Sequence, residues 1–259
     1  MGYRFKANGR WEYHSQETLP AELRIHNPEG ELVELQRLEP SESITVVGMV
    51  QAMDGRMEGQ VNELRSRADK WGMAIKNGWI PRNIAWQGMQ TMIWPSLKYP
   101  LPACNMTEIE GKSILTGFYK NVLPKMGICR NIPLVFRYAP TCLQGLGLPD
   151  PYVEQGIAQI KFLLTGGHIC NLPGNLIRAS LEQAQLEIGT STPLLQAPFA
   201  VFGCLLTKNT WIGSVWQFVS KRGIEMRSES LTLPKCQREG DYFLMDCLTA
   251  LGVFSTAQL

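Results

Sequence analysis

The sequence is poor in the residue types from which most catalytic and metal sites are built. Its 259 residues include three histidines and five aspartates, and no two aspartates are adjacent. No CxxC or HExxH spacing is present for a zinc ion, and no GxSxG is present for a hydrolase nucleophile. The neighbouring carboxylates that hold two metal ions in phosphoryl transfer are also missing. These absences predict a chain with no catalytic residue, no bound metal and no cofactor.

Long apolar runs and closely spaced cysteines are missing as well. The longest uncharged stretch, Ile188 to Thr207, contains Pro193 and Pro198, so we expect no membrane span. The first fifteen residues have no apolar segment of the kind that directs secretion. The seven cysteines are an odd number and lie at least eleven positions apart, which favours reduced thiols. We therefore expect an intracellular protein, cytoplasmic or nuclear, that is not secreted.

Charge is distributed unevenly along the chain. The formal net charge is only +2, yet residues 56–138 hold twelve Lys/Arg against five Asp/Glu. Residues 1–55 hold five against nine, and residues 139–259 hold eight against nine. The basic middle third would attract a polyanion such as nucleic acid. The alternative is a solvated helix face that balances its acidic neighbours.

The segment GLGLPD, residues 145–150, has glycines spaced as in the first part of a dinucleotide-binding loop. The third glycine of that fingerprint would fall at position 150, where this sequence has an aspartate. A carboxylate would repel a pyrophosphate, whereas aspartate followed by proline is a favourable start for a helix. The segment therefore predicts a turn into a helix.

Turn signals and apolar periodicity predict a mainly α fold behind a small N-terminal β-hairpin and strand, α+β overall. The hairpin is expected around the turn Asn27 to Gly30, and a buried strand over residues 43–50. Residues spaced by threes and fours predict a helix from Met57 to Gly78. The other helices are expected over residues 81–95, ending at Pro95; 107–122, starting at a Thr107–Glu110 capping box; 151–167, with Val153, Ile157, Ile160 and Leu164 inward; 175–188; 199–222, as one helix or two; and 241–251.

A succession of short motifs runs from about Ser43 to the C-terminus. In chain order they are TVVGM, DKWGMAIKNGWIPRNIAW, WPSLKYPLPA, LPKMGICRNIPLVFRYAP, QGLGLPD, GNLIRASLEQAQLEIG and DYFLMDCLTALGVFSTAQL. Their order and spacing resemble the region downstream of the polymerase core in reverse transcriptases of retrotransposons, especially the non-LTR type. The resemblance implies a thumb, which grips the template–primer duplex, followed by a C-terminal extension.

Several positions match the family's motifs. Val47-Gly48 matches the "LG" turn that closes the primer grip, with valine in place of the usual leucine. The family's catalytic sequence, an aromatic residue followed shortly by paired aspartates, has no counterpart, and neither have the fingers and most of the palm. The thumb and post-thumb matches are Trp71, Tyr99, Pro100, Leu101, Pro102, Gly127, Ile128, Cys129, Arg130, Gly145, Gly147 and Pro149.

The resemblance implies three regions: a β-rich remnant of the palm and primer grip at residues 1–55, a helical thumb-like domain at 56–165, and a helical C-terminal extension at 166–259. The function it implies is that of a reverse transcriptase fragment without a polymerase active site. Its expected partners are RNA or an RNA/DNA duplex and the missing palm and fingers of the parent polymerase. The alternative is a degenerate or domesticated remnant that acts as a protein-interaction domain or has no function.

Phosphate contacts are the remaining site prediction. Lysine and arginine neutralise phosphates, and aromatic rings stack on bases. Trp86 and Phe118 lie on the apolar stripes of their helices and are expected in the core. The cations predicted to contact phosphates are Lys98, Lys120, Lys125, Arg130 and Arg137.

Overall fold

The chain forms two compact units, Met1–Glu42 and Ser43–Leu259. The computed structural model describes residues 2–5, 11–14, 24–34, 39, 41–167, 169–206, 210–226 and 240–252. The fold is mainly α with short antiparallel strand pairs in the N-terminal part, which confirms the predicted fold class. Among the described helices, none combines the length and the apolar character that crossing a bilayer requires. The three-region division implied by the resemblance stays a prediction.

The described residues of the N-terminal unit form two antiparallel strand pairs. They are β1 (Gly2–Phe5) with β2 (Trp11–His14), and β3 (Arg24–His26) with β4 (Leu32–Glu34). The second pair is the predicted hairpin, and the Asn27 carboxamide oxygen shapes its turn by accepting the N–H groups of Glu29 at 3.1 Å and Glu31 at 2.8 Å. The first pair was not predicted, although Asn8-Gly9, a strong hairpin signal, lies between its strands.

Residues 43–52 form a hairpin, so the prediction of one strand over residues 43–50 is wrong. Strands β5 (Ser43–Val46) and β6 (Met49–Ala52) pair in antiparallel register with Val46 opposite Met49. The two-residue turn between them is Val47-Gly48, and both residues have positive φ, 50° and 78°. Two consecutive positive φ values are typical of a type I′ turn, which matches the right-handed twist of paired strands.

We expect Val47→Asn to stabilise the protein. Val47 is β-branched and 81% exposed, so it accepts the left-handed conformation without compensation from packing. Asparagine tolerates that region, and removing the strain should raise the free energy of unfolding by about 1 kcal/mol. Chemical denaturation measures the change. Val46→Asn, one position earlier in the extended strand, is the control and should not stabilise; an unchanged or lower stability of Val47→Asn would contradict the turn assignment.

Beyond this hairpin, the regular secondary structure that is described in the Ser43–Leu259 unit is helical. The α-helices are α1 (Glu58–Asn77), α2 (Arg82–Gly88), α3 (Trp94–Lys98), α4 (Glu108–Lys125), α5 (Leu134–Tyr138), α6 (Pro151–Gly167), α7 (Leu172–Ile188), α8 (Phe199–Phe202), α9 (Trp211–Lys221) and α10 (Leu244–Ala250). The predicted caps are confirmed at Thr107, which forms a capping box with Glu110, and at Asp150, whose carboxylate accepts the Tyr152 N–H at 2.9 Å. Of the region predicted over 199–222, the described residues include the helices α8 and α9.

Pro95 does not end the second helical segment, so that prediction is wrong. A π-helical turn, Met89–Ile93, joins α2 to α3, and the Trp94 N–H bonds the Met89 carbonyl five residues back. Proline cannot donate to the carbonyl four residues before it and would clash with that group in a regular α-helix. The wider π turn lets the chain continue past Pro95 as a helix.

Helices α1 and α4 pack side by side and run parallel. Arg65 Nη2 donates to Ser113 Oγ at 2.6 Å near their N-terminal halves, and Lys125 Nζ donates to the Gly78 carbonyl at 3.2 Å at their C-terminal ends. The buried side chains between them include Leu64, Ala68 and Phe118, and we call the hydrophobic cluster to which they belong the first core. Helices α2 and α3 bring the chain back along this pair. They start at its C-terminal end, where Arg82 packs on Gly127, and end near Arg67, which donates to the Ser96 carbonyl. Helix α4 can therefore start beside the start of α1.

Helix α6 connects this first core to a second one built from α6, α7 and α9. Its buried face carries two glutamines: Gln155 pairs with the backbone N–H and carbonyl of Met106, both at 3.1 Å, and Gln159 donates to the Cys104 carbonyl. The predicted inward stripe is therefore displaced by about one residue, and Ile157 is 54% exposed. The buried positions of α6 include Tyr152, Gln155, Gly156, Gln159 and Leu163.

Candidate nucleic-acid interface

The parallel packing of α1 and α4 places three cations at one end of the pair. Lys76 lies in the last turn of α1, Lys125 in the last turn of α4, and Arg82 at the start of α2, with its guanidinium against Gly127. We call Lys76, Arg82 and Lys125 the basic end. No Asp or Glu occurs in residues 70–107 or 111–149, so the segments that form this end carry no anion.

Helix electrostatics explain why these lysines occupy the last turns. The C-terminus of a helix carries a partial negative charge and unpaired carbonyls, which favour nearby cations. Lys125 reaches the Gly78 carbonyl just beyond α1, so one lysine compensates the ends of two helices. Helix α4 ends in a Schellman motif, in which the Ile128 N–H bonds the Leu123 carbonyl at 2.9 Å and Gly127 has a φ of 80°.

The opposite end of the helix pair is acidic. Glu58 lies in the first turn of α1, and Glu108 and Glu110 lie in the first turn of α4. Glu108 accepts from Lys112 at 2.6 Å and from Lys221 of α9. These two hydrogen bonds hold the pKa of Glu108 at about 2. The first turns of the two helices thus carry glutamates, and their last turns carry lysines.

Of the five predicted phosphate contacts, Lys98 lies away from the basic end. Its Nζ is 2.7 Å from a carboxylate oxygen of Glu154 in α6. Glu154 lines a groove together with Tyr138 and Asp150. Burial, followed by the charge of Asp150, raises the pKa of the Tyr138 hydroxyl. A phosphate at Lys98 would have to displace one carboxylate and approach a second.

Arg137 and Lys125 are half-buried and bonded to the protein backbone. Arg137 lies over the Tyr119 ring, 5.3 Å from its centroid, and its Nη2 donates to the Arg130 carbonyl at 3.2 Å. This arrangement ties the segment after α4 back onto that helix. Lys125 keeps two further ammonium protons beside its bond to Gly78, so it remains able to contact a phosphate.

Lys120 and Arg130 are exposed, and within the part of the chain that the structure describes their side chains make no hydrogen bond or ion pair. Lys120 lies on the solvent face of α4, about 140° around the helix axis from Lys125. Arg130 follows the C-terminal end of α4. The structure therefore gathers four of the five predicted cations around the C-terminal half of α4 and the segment that follows it, but not on one face.

Two features of this region did not emerge from sequence reasoning. Lys76 and Arg82 were not among the predicted phosphate contacts. The lack of Asp and Glu between residues 70 and 107 could have indicated them. Trp79, between these two cations, is fully exposed. The core predictions for Phe118 and Trp86 are confirmed, since Phe118 is fully buried and Trp86 packs against the first core.

The cations of the basic end form an arrangement that can bind anions. Within the described residues, no group of three His, Cys, Asp or Glu side chains is placed to hold a metal ion. No protein-family model, no curated protein and no solved structure matches this chain.

Proposed function

We propose that the chain binds the phosphate backbone of nucleic acid through the basic end, as the template–primer-gripping C-terminal part of a retrotransposon reverse transcriptase. One observation carries the binding proposal: parallel packing of α1 and α4 brings Lys76, Arg82 and Lys125 together at the end that lacks acids. The order of sequence motifs supports the origin. RNA or an RNA/DNA duplex is the proposed partner, and polymerisation is assigned to the missing palm.

The positive charge of the basic end should make nucleic-acid binding depend on salt concentration. Each phosphate neutralised by a lysine or arginine releases condensed counterions, so affinity falls with salt concentration. For B-form DNA the logarithm of the binding constant changes by about 0.9 per contact for each tenfold change in salt. Neutralising two contacts should therefore change both the affinity and the slope.

The test is Lys76→Gln/Lys125→Gln, measured by filter binding to a blunt DNA duplex and an RNA/DNA hybrid over a salt series. We expect weaker binding at low salt and a DNA slope shallower by about 1.8. The matched control is Arg56→Gln/Lys161→Gln, which removes the same charge from residues outside the basic end and should leave the slope unchanged. Lys120→Gln/Arg130→Gln tests the exposed cations predicted from the sequence in the same way. Absent binding at low salt, or equal slopes for the basic-end variant and wild type, would refute the proposal.

A protein-interaction role is the second candidate, and one observation favours it. Three consecutive apolar residues of α5, Leu134, Val135 and Phe136, are more than half exposed. Contiguous apolar surface often marks a contact with another protein. A chain that shows no salt-dependent binding to either duplex, yet self-associates or binds a polymerase palm supplied in trans, would have this function instead.

A further inference from the structure

Trp79 is the most exposed large apolar side chain among the residues that the structure describes, at 103% of its reference area. It lies in the connection between α1 and α2, directly after Gly78, whose backbone is extended. Ile80 packs against the first core, whereas the Trp79 side chain is exposed to solvent.

The backbone that carries Trp79 is held on both sides. The Gly78 N–H bonds the Ala74 carbonyl at 3.0 Å, and the Gly78 carbonyl accepts from Lys125 at 3.2 Å. On the other side, the Pro81 carbonyl accepts the Ala85 N–H at 3.0 Å in the first turn of α2. The indole is therefore presented from a short connection anchored to α1, α2 and α4.

Cations flank this indole in sequence, and one of them contacts the adjacent backbone. Lys76 precedes Trp79 by three residues, Arg82 follows it by three, and Lys125 binds the adjacent carbonyl. Proteins that bind single-stranded nucleic acid combine such cations, which contact phosphates, with exposed rings on which bases stack. A protein partner would need acidic groups to match the same three charges, whereas a nucleic acid supplies an anion and a ring in every nucleotide.

We propose that Trp79 stacks on an unpaired base, so that the basic end recognises a single strand or a single-stranded overhang next to a duplex. This proposal rests on the proposed function, because the neighbouring phosphates are held by Lys76, Arg82 and Lys125. It adds a preference: the strand must present a free base face, which a blunt duplex offers only at its ends.

The test compares Trp79→Ala, Trp79→Phe and wild type on a single-stranded oligothymidine and on a blunt duplex over the same salt series. Stacking is worth about 1–3 kcal/mol per base, so Trp79→Ala should bind the single strand roughly 5- to 150-fold more weakly. Trp79→Phe should lose less, and duplex affinity and the salt slope should not change. Because the side chain is fully exposed, we expect both variants to unfold at the same temperature as wild type.

Fluorescence gives a second readout. Oligothymidine should quench the tryptophan emission of wild type and of a Trp71→Phe control, and this quenching should disappear in Trp79→Phe. Unchanged single-strand affinity in Trp79→Ala would overturn the stacking proposal while leaving duplex binding intact. Altered self-association without altered affinity would assign Trp79 to a protein contact and also overturn it. Failure of the proposed function is distinguishable, because the lysine double variant would then bind duplex as wild type does.

Discussion

Trp216→Ala should lower the free energy of unfolding by about 3–5 kcal/mol, which is the range for truncating a buried aromatic side chain. Trp216 lies at the centre of the second core and is completely buried. Its ring meets that of Phe199 edge to face, with centroids 4.9 Å apart. A loss of this size is a large fraction of the roughly 5–15 kcal/mol that stabilises most native proteins, so we expect the denaturation midpoint of this variant to fall well below that of wild type.

A hydrogen bond adds to the loss. Trp216 Nε1 donates to the Ala197 carbonyl at 2.7 Å, and removing the indole leaves that buried carbonyl without its partner. Trp216→Phe keeps an aromatic ring in the core, but it removes the donor together with part of the indole. We expect Trp216→Phe to cost about 1–3 kcal/mol, clearly less than alanine. Chemical denaturation followed by circular dichroism measures both; a loss below about 1 kcal/mol for Trp216→Ala would show that this core is not packed as described.

Gly156→Ala should lower the free energy of unfolding by about 2–3 kcal/mol through overpacking. Gly156 lies on the buried side of α6, and a Cβ atom there would overlap three carbon atoms of the Phe218 ring. That ring has little room to move, because Tyr152 lies edge-on to it at 5.7 Å and Arg222 lies 4.0 Å from its centroid. The helices would have to separate to admit one methyl group.

Gly88→Ala is the matched control, since it makes the same substitution at another helical glycine. No atom lies within 4 Å of the position that a Cβ would take at Gly88. Alanine is favoured over glycine in a helix by about 1 kcal/mol, so this variant should be more stable than wild type. The two substitutions should therefore shift the denaturation midpoint in opposite directions. Shifts of the same sign would mean that α6 and α9 do not approach as closely as the structure shows.

Local sequence features predicted most of the helices because their signals lie within one or two turns. The Thr107–Glu110 capping box and the Asp150–Pro151 start appear in the structure as predicted. The hairpin at Val47-Gly48 was missed because a β-branched residue is a poor candidate for a turn that requires positive φ. The inward stripe of α6 was predicted incorrectly because of Gln155 and Gln159. Hydropathy predicts that glutamine is exposed, but these two side chains are buried and form hydrogen bonds with backbone groups.

The candidate site was only partly predictable, because it depends on contacts between distant segments. Trp86 could be assigned to the core from the helical spacing of apolar residues around it. Trp79 lies outside any helix, so no such spacing predicts its exposure. Lys76 and Lys125 lie far apart in the sequence, and only the parallel packing of their helices brings them to the same end of the pair. Composition showed that the middle of the chain is basic, but not which cations it would gather.

The parallel pairing of α1 and α4 also sets an order for folding during synthesis. Their contacts join residues 47 to 48 positions apart, with two further helices between them. When α1 leaves the ribosome its apolar stripe has no partner, and it stays uncovered until α4 has been translated and has emerged. Long-range pairing of this kind slows folding and prolongs the exposure of apolar surface that is prone to aggregate. A nascent chain stalled shortly before Glu108 would therefore be a strong client for chaperones that hold unfolded segments.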